Sequence, residues 1–315
     1  FKRFYYSCDM ENEEKKVYND GGDPVPDYQY PIVEYGYNEN SQLDTTKYQD
    51  GSFHIINTFN TRSWLTSSLS AEDKFSYALD YFYNGNIKAQ RLMGSYRLNY
   101  SREQREVSST FRYDNSNRLL NVRKTNVKVY SPEETFTYDK DGNFLTLARD
   151  YSGDNFSYQY YEGTSKLKSI DGGNTQHYVY DYNGNVTEDG TRKITGIKYD
   201  SRNLPVEMNV IPKDSKYKYR VRYGYDESGN RVRKMIEQTE ITNPGLLPIE
   251  WTLIKDEVYV RDVSGKEIAV YENSNLSYYN IWGNGLEGKI KKDKKENSKY
   301  YYYYKDHLGS VRAVL

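Results

Sequence analysis

The sequence predicts an all-β chain of consecutive antiparallel β-hairpins. Three observations carry that expectation. Tyr-Asp pairs recur at intervals of one hairpin or so, three of them run on into Gly-Asn after two residues, and alternating aromatic and polar stretches precede them.

The composition requires an unusual core. At 315 residues the chain is long enough for one large or two ordinary domains. Only 36% of its residues are hydrophobic and its mean hydropathy is -0.98, a balance that by itself leans towards disorder. The 37 tyrosines answer this, because each ring buries an apolar face while its hydroxyl finds a partner. Tyrosine therefore has to replace much of the usual aliphatic core.

The lead-in, residues 1–50, is loop-rich. "DGGDPVPDYQYP" contains Pro24, Pro26 and Pro31 and reads as a loop or edge segment, while Tyr35 and Tyr37 in "VEYGYNENSQL" hint at a degenerate repeat. "YQDGSFHIINTFN" continues it as a further strand pair. "SAEDKFSY", residues 70–77, carries a helix-start signal, with Ser70 as cap and Asp73 at the third helical position.

Residues 51–299 form the repeat region. Tyr-Asp pairs stand at Tyr113-Asp114, Tyr138-Asp139, Tyr180-Asp181, Tyr199-Asp200 and Tyr225-Asp226. "YDKDGN", "YDYNGN" and "YDESGN" place Gly142-Asn143, Gly184-Asn185 and Gly229-Asn230 at one offset. Degenerate copies lie near Tyr83, near Tyr160 and from Tyr259. Before each pair runs a strand with one wet side: in "YKYRVRYGYD", Tyr217, Tyr219, Val221 and Tyr223 fall on one face and Lys218, Arg220 and Arg222 on the other. The aspartate can then fold back onto backbone N-H groups two residues on. Glycine takes positive φ without penalty, and asparagine tolerates the left-handed region. A second strand follows, as in "NRVRKMI" or "NFLTLAR". Single hairpins are only marginally stable, so neighbouring copies must pair into a sheet.

The Tyr-Asp-x-x-Gly-Asn units, with "NTFNTRSWLTSSLS", "YNGNIKAQ", "FRYDNSNRLL" and the closing "YYYYKDHLGSVRAVL", resemble the YD-repeat (Rhs) family of bacterial secreted proteins, which has teneurins as animal relatives. The resemblance covers about residues 55–315. Its most specific short motif is "DHLGSVR": Asp306, His307, Leu308, Gly309, Ser310 and Arg312 match the start of the repeat-associated core segment, which makes 300–315 the truncated beginning of that segment. The resemblance implies a spiralling, curved sheet or part of a hollow β-shell, which in polymorphic toxins encloses a variable C-terminal effector released by self-cleavage. It also implies a secreted or cell-surface location, a role in competition between bacteria, and partners in the remainder of the polypeptide and in secretion or surface components. The family pattern continues past "DHLGSVR" into further core sequence, a cleavage site and the effector. On this reading the chain is the wall without its cargo.

Site chemistry is sparse. His54 and His177 lie in strand-like runs without a partner at ligand spacing. Asp306, His307 and Ser310 are adjacent in sequence, which is no evidence for a triad whose members meet through the fold. There is no P-loop, HExxH or dinucleotide fingerprint and so no cofactor expectation, and "GNGLEG", residues 283–288, reads as a glycine-rich turn after Trp282. "KIKKDKKENSK", residues 289–299, reads as a solvated loop between strands. Lys+Arg 44 against Asp+Glu 45 removes the electrostatic case for a nucleic-acid partner. No apolar run reaches the ~20 residues of a transmembrane helix. Cys8 has no internal disulfide partner, and its "YYSCDMENEE" setting is a weak lipoprotein-like cue.

Two function classes follow: a non-enzymatic shell or carrier of a secreted toxin-like protein, and a recognition or adhesion module binding glycans or a protein through tyrosine-rich faces. An enzyme is a third class that no constellation of residues supports. The turn assignment is testable at its glycines. Replacing Gly184 or Gly229 with Val forces a β-branched residue to positive φ and is expected to destabilise the chain by about 1–3 kcal/mol. Unchanged thermal unfolding of both variants would count against the turns.

Overall fold

In the computed structural model the chain is all-β, strand following strand antiparallel in open sheet, and there is no helix among the described residues. The structure describes residues 33–48, 53–70, 75–98, 101–125, 132–150, 152–173, 175–213, 215–241, 250–292 and 298–314, together with short strands at Lys2–Phe4, Val17–Tyr18 and Pro24–Val25. Cys8, and with it the lipid cue, lies outside them. Residues Phe1–Pro132, Trp282–Glu287 and Tyr302–Leu315 form one compact unit, and Glu133–Ile281 with Gly288–Tyr301 form a second.

In the first unit, strands Val33–Tyr37, Leu43–Tyr48, Phe53–Phe59, Leu65–Ser70, Phe75–Tyr81, Ile87–Leu98, Ser101–Tyr113 and Leu119–Thr125 each pair with the next. Val33–Tyr37 and Leu43–Tyr48 make the degenerate repeat that Tyr35 and Tyr37 hint at. Within the breaker-rich lead-in, Pro24–Val25 pairs with Val17–Tyr18 in a separate two-stranded ladder. The end of Ser298–Lys305 forms a hairpin with Val311–Val314 through Tyr303↔Val314, Tyr304↔Ala313 and Lys305↔Val311.

The core of this unit is tyrosine-built. Tyr35, Tyr48, Tyr77, Tyr302 and Tyr304 are buried beside Val33, Ile55, Leu79 and Val122. Tyr304 is completely enclosed, its ring 4.8 Å from Phe75 and 6.1 Å from Tyr77, and its hydroxyl donates to the Ser68 carbonyl at 3.0 Å. Tyr35 and Tyr48 share one carboxylate: their hydroxyls donate to Oε1 and Oε2 of buried Glu287 at 2.8 and 3.1 Å, and the Lys305 ammonium stands 3.5 Å from Oε2. The Tyr35 oxygen also accepts the Asn284 N-H at 2.8 Å. Burial, and then the Glu287 charge, push both phenols above the usual tyrosine range.

In the second unit the strands from Glu133–Tyr138 to Asn275–Gly283 likewise pair in chain order. Strand Tyr217–Tyr225 corrects the one-wet-side reading. Arg220 and Arg222, on the polar face, clamp buried Glu237 at 2.7 and 2.6 Å, and Trp251 stacks on the Arg220 guanidinium at 4.5 Å. Ion pairs and an indole ring therefore cover much of that face.

Three local readings are corrected. Residues 70–77 do not form a capped helix: Ser70 ends one strand and Phe75 begins the next, and 71–74 lie outside the described residues. The Ser70 hydroxyl accepts the Phe75 N-H at 2.8 Å, so the cap chemistry serves a hairpin connection, and the two-residue period of Phe75, Tyr77 and Leu79 decides for strand. "GNGLEG" is a bend at Asn284 between strands Asn275–Gly283 and Gly285–Lys292. A Cβ on Gly283 would sit 2.1 Å from the Tyr35 hydroxyl, so glycine is there for close approach. In the lysine run, 289–292 and 298–299 are strand, with the Lys289 ammonium packed over the Tyr278 and Tyr301 rings at 5.5 and 5.9 Å, and the loop expected at 293–297 lies outside the described residues.

Glu287→Leu strands two buried phenol hydroxyls and an ammonium, and is expected to lower stability by about 2–4 kcal/mol. Denaturant unfolding with a midpoint equal to the parent's would show that the shared carboxylate contributes nothing.

Candidate functional site

The recurrent unit is a hairpin whose ladder is offset at the turn. In "YDKDGN" the strand ends at Tyr138, Asp139 N-H donates to Asn143 O at 2.9 Å and Gly142 N-H to Asp139 O at 3.3 Å, leaving a three-residue loop with Gly142 at φ 90°. The register slips at Tyr138, which faces Phe144 across the bulge. Asp139 Oδ1 accepts the backbone N-H groups of Asp141 and Asn143 at 2.9 and 2.8 Å, and Oδ2 accepts the Asn143 amide at 2.9 Å. Asp181 with Asn185, and Asp226 with Asn230, repeat the arrangement, with Gly184 and Gly229 at φ 87° and 84°. At Asp114 and Asp200 the second oxygen accepts an arginine instead, Arg118 Nε at 2.7 Å and Arg202 Nε at 3.0 Å. Asparagine amides first of all hold Asp139, Asp181 and Asp226 below the usual carboxylate range, and backbone N-H groups do so for Asp114 and Asp200.

Asn143, Asn185 and Asn230 are thus closing residues, not left-handed ones. Among these turns the left-handed asparagines are Asn117 and Asn203, which occupy the glycine slot at φ 62° and 61°. There they link neighbouring turns. Asn203 Oδ1 accepts the amides of Asn183 and Asn185 at 3.1 and 2.8 Å, and Asn117 Oδ1 accepts those of Asn84 and Asn86, both at 2.9 Å. Arginines reach across as well: Arg202 Nη1 donates to Asp226 O at 2.8 Å, Arg62 Nη1 to Tyr83 O at 2.7 Å, and Arg261 Nε to Arg231 O at 2.9 Å. These cross-turn arginines escaped the sequence reading, and no spacing signal marks them.

The tyrosine that ends the outgoing strand is where one hairpin holds the next. The hydroxyls of Tyr81, Tyr160, Tyr180, Tyr199 and Tyr225 donate to the carbonyls of Leu65, Phe144, Leu167, Val186 and Pro205 at 2.7, 2.9, 3.0, 2.6 and 2.8 Å. Each acceptor opens the return strand of the preceding hairpin, opposite its bulge. Phenylalanine would fill the same space without this bond. At Tyr113 the ring instead meets Phe82 edge-on at 6.4 Å.

Two degenerate copies shift in phase. In "YFYNGN" Phe82 takes the place of aspartate and Tyr81 marks the bulge, which leaves Tyr83 at the tip, 93% exposed. In "YVRDVSGK" the turn starts at Asp262 and Arg261 marks it, not Tyr259. The turns at Asn38 and Asn60 use asparagine where the others use aspartate.

"DHLGSVR" is a further turn of this kind. Asp306 Oδ1 accepts the N-H groups of Leu308 and Ser310 at 3.0 and 2.9 Å, Arg312 Nε donates to Oδ2 at 2.7 Å, and Gly309 has φ 79°. Burial raises the Asp306 pKa, but the Ser310 N-H and Arg312 outweigh it and leave the net shift downward. Among the described residues no hydrogen bond joins the side chains of Asp306, His307 and Ser310 to one another; the Ser310 bond to the Asp306 carboxylate comes from its backbone N-H. The His307 ring lies 6.1 Å from Tyr77, with its Nδ1 buried and unbonded, and burial lowers its pKa. His54 lies in strand Phe53–Phe59 and His177 in Gln176–Tyr180. Among the described residues no group of three or more His, Cys, Asp or Glu could hold a metal ion, and no helix is long and apolar enough to cross a membrane.

No protein-family model matches the chain, and no curated protein matches it. Among solved structures, a chain of the Photorhabdus luminescens Tc holotoxin pore is similar over 90% of this chain, at 12% identity and a TM-score of 0.62. The match spans 15% of that chain's length, and at this identity it shows the fold alone. A porin-like protein from Bacteroides uniformis is similar over 83% of this chain and 87% of its own, at 12% identity and a TM-score of 0.24.

Tyr180→Phe and Tyr199→Phe each remove one bond between hairpins and are expected to cost about 0.5–1.5 kcal/mol, whereas Tyr182→Phe, at a fully exposed turn tip, should cost nothing. Equal unfolding midpoints for all three variants would refute the assigned role of the hydroxyls.

Proposed function

We propose that the chain is a wall segment: a non-enzymatic shell or carrier part of a secreted, Rhs-type toxin-like protein, which encloses or presents a C-terminal effector belonging to the same polypeptide. The observation that carries this reading is the turn system. Side-chain bonds from turn to turn and tyrosine hydroxyls from hairpin to hairpin make a sheet that can be extended by repetition, which is what a container wall requires. The fold similarity to part of a Tc holotoxin chain supports the same reading, and so do carboxylates that are occupied by backbone N-H groups rather than left facing a cleft. Its partners are then the rest of its own polypeptide and the components that export it or receive it at a cell surface.

The test is limited proteolysis of the complete gene product under native conditions and in denaturant just below the unfolding transition. A shell protects the region beyond the repeats until the wall opens, so native digestion should leave that region intact. Rapid native cleavage there, with the repeats still whole, would overturn the proposal.

A further inference from the structure

A slot of about 430 Å³ lies in the second unit on one face of four adjacent strands. Its floor follows from register: Leu147 faces Phe156, and Tyr158 faces Ile170, which in turn faces Gln176. Leu147 is buried, and the Phe156 ring lies so close over Gly172 that a Cβ there would stand 2.5 Å from it, so the floor tolerates no larger residue at that position. The rim holds two cations, Arg149 and Lys193, and no carboxylate is among the lining residues. The Arg149 Nε is buried without a hydrogen-bond partner; its ion pair with Glu134, at 3.9 Å, is longer than a hydrogen bond and leaves that N-H unsatisfied. Lys193 is held towards the slot by donating to Gln176 Oε1 at 2.8 Å, not by a counter-charge.

An apolar floor with two cations and no carboxylate among its lining residues is complementary to one class of ligand. We propose that this slot binds a small amphipathic carboxylate, its head at Arg149 and Lys193 and its apolar body over Leu147, Phe156 and Ile170. Its size fits an acyl chain of about eight to ten carbons or one substituted aromatic ring. The assignment goes beyond the shell reading and does not depend on it, since it rests on side chains of this unit alone.

The probe is octanoate, titrated calorimetrically into the full chain, with octylammonium as the same body bearing the opposite charge. Octanoate should bind once per chain and octylammonium should not bind. Lys193→Gln and Arg149→Gln should each weaken octanoate binding by about tenfold, while Lys198→Gln, whose ammonium pairs with Glu207 at 2.8 Å, should leave it unchanged. Lys193 is exposed, so its variant folds and reads the site even if the Arg149 variant does not. No octanoate binding, equal binding of the two probes, or unaltered affinity in Lys193→Gln would each overturn the proposal.

Discussion

The structure depends on what happens at the bulge. At Tyr138, Tyr180 and Tyr199 a three-residue loop closes the hairpin where the ladder register shifts, and the return strand opens opposite that shift. The hydroxyl of the tyrosine that ends the next outgoing strand donates to the first carbonyl of that return strand. Tyrosine and aspartate are therefore adjacent for different reasons. The aspartate satisfies its own loop, and the tyrosine satisfies its neighbour's. A hairpin whose backbone is bonded by its neighbour's side chain is a unit that repeats.

This division of labour also explains the composition. A sheet held between hairpins by phenol hydroxyls, and along its turns by asparagine amides and arginine forks, can be regular with few aliphatic residues. The asparagines at 117 and 203 show this most clearly. Each accepts the backbone cost of the left-handed region in exchange for an oxygen that receives two amides from the turn beside it. Glycine at the same slot is less strained but contributes nothing sideways.

Much of this was legible in the sequence, and the limits are physical. The spacing from Asp139 to Gly142 and Asn143 announces the loop because both its conformation and its bonding are local. Phase was harder to read. Tyr83 and Tyr81 are equally good candidates until pairing fixes which of them lies opposite Ile87. Asn38 and Asn60 escaped because an asparagine oxygen accepts the same N-H groups as aspartate does, without the expected letter. The helix signal at Ser70 and the lysine run after Gly288 misled because capping chemistry and charge are short-range cues, whereas burial of Tyr77 and stacking of Lys289 on two rings depend on strands elsewhere. Nothing in the sequence points to Glu287, whose partners lie 252 and 239 residues away.

That last separation affects the order in which the molecule can be made. Synthesis proceeds from the amino end, and a hairpin such as Gln176–Tyr180 with Val186–Asp189 has its closing partners within a few residues of leaving the ribosome. Tyr35 and Tyr48 have no such luck. Their carboxylate is translated 252 and 239 residues after them, and the ring that packs beside Tyr48, Tyr302, follows later still. Through the synthesis of the residues between them the first unit is therefore a nascent sheet with an unfilled socket, and its completion waits for the segments Trp282–Glu287 and Tyr302–Leu315.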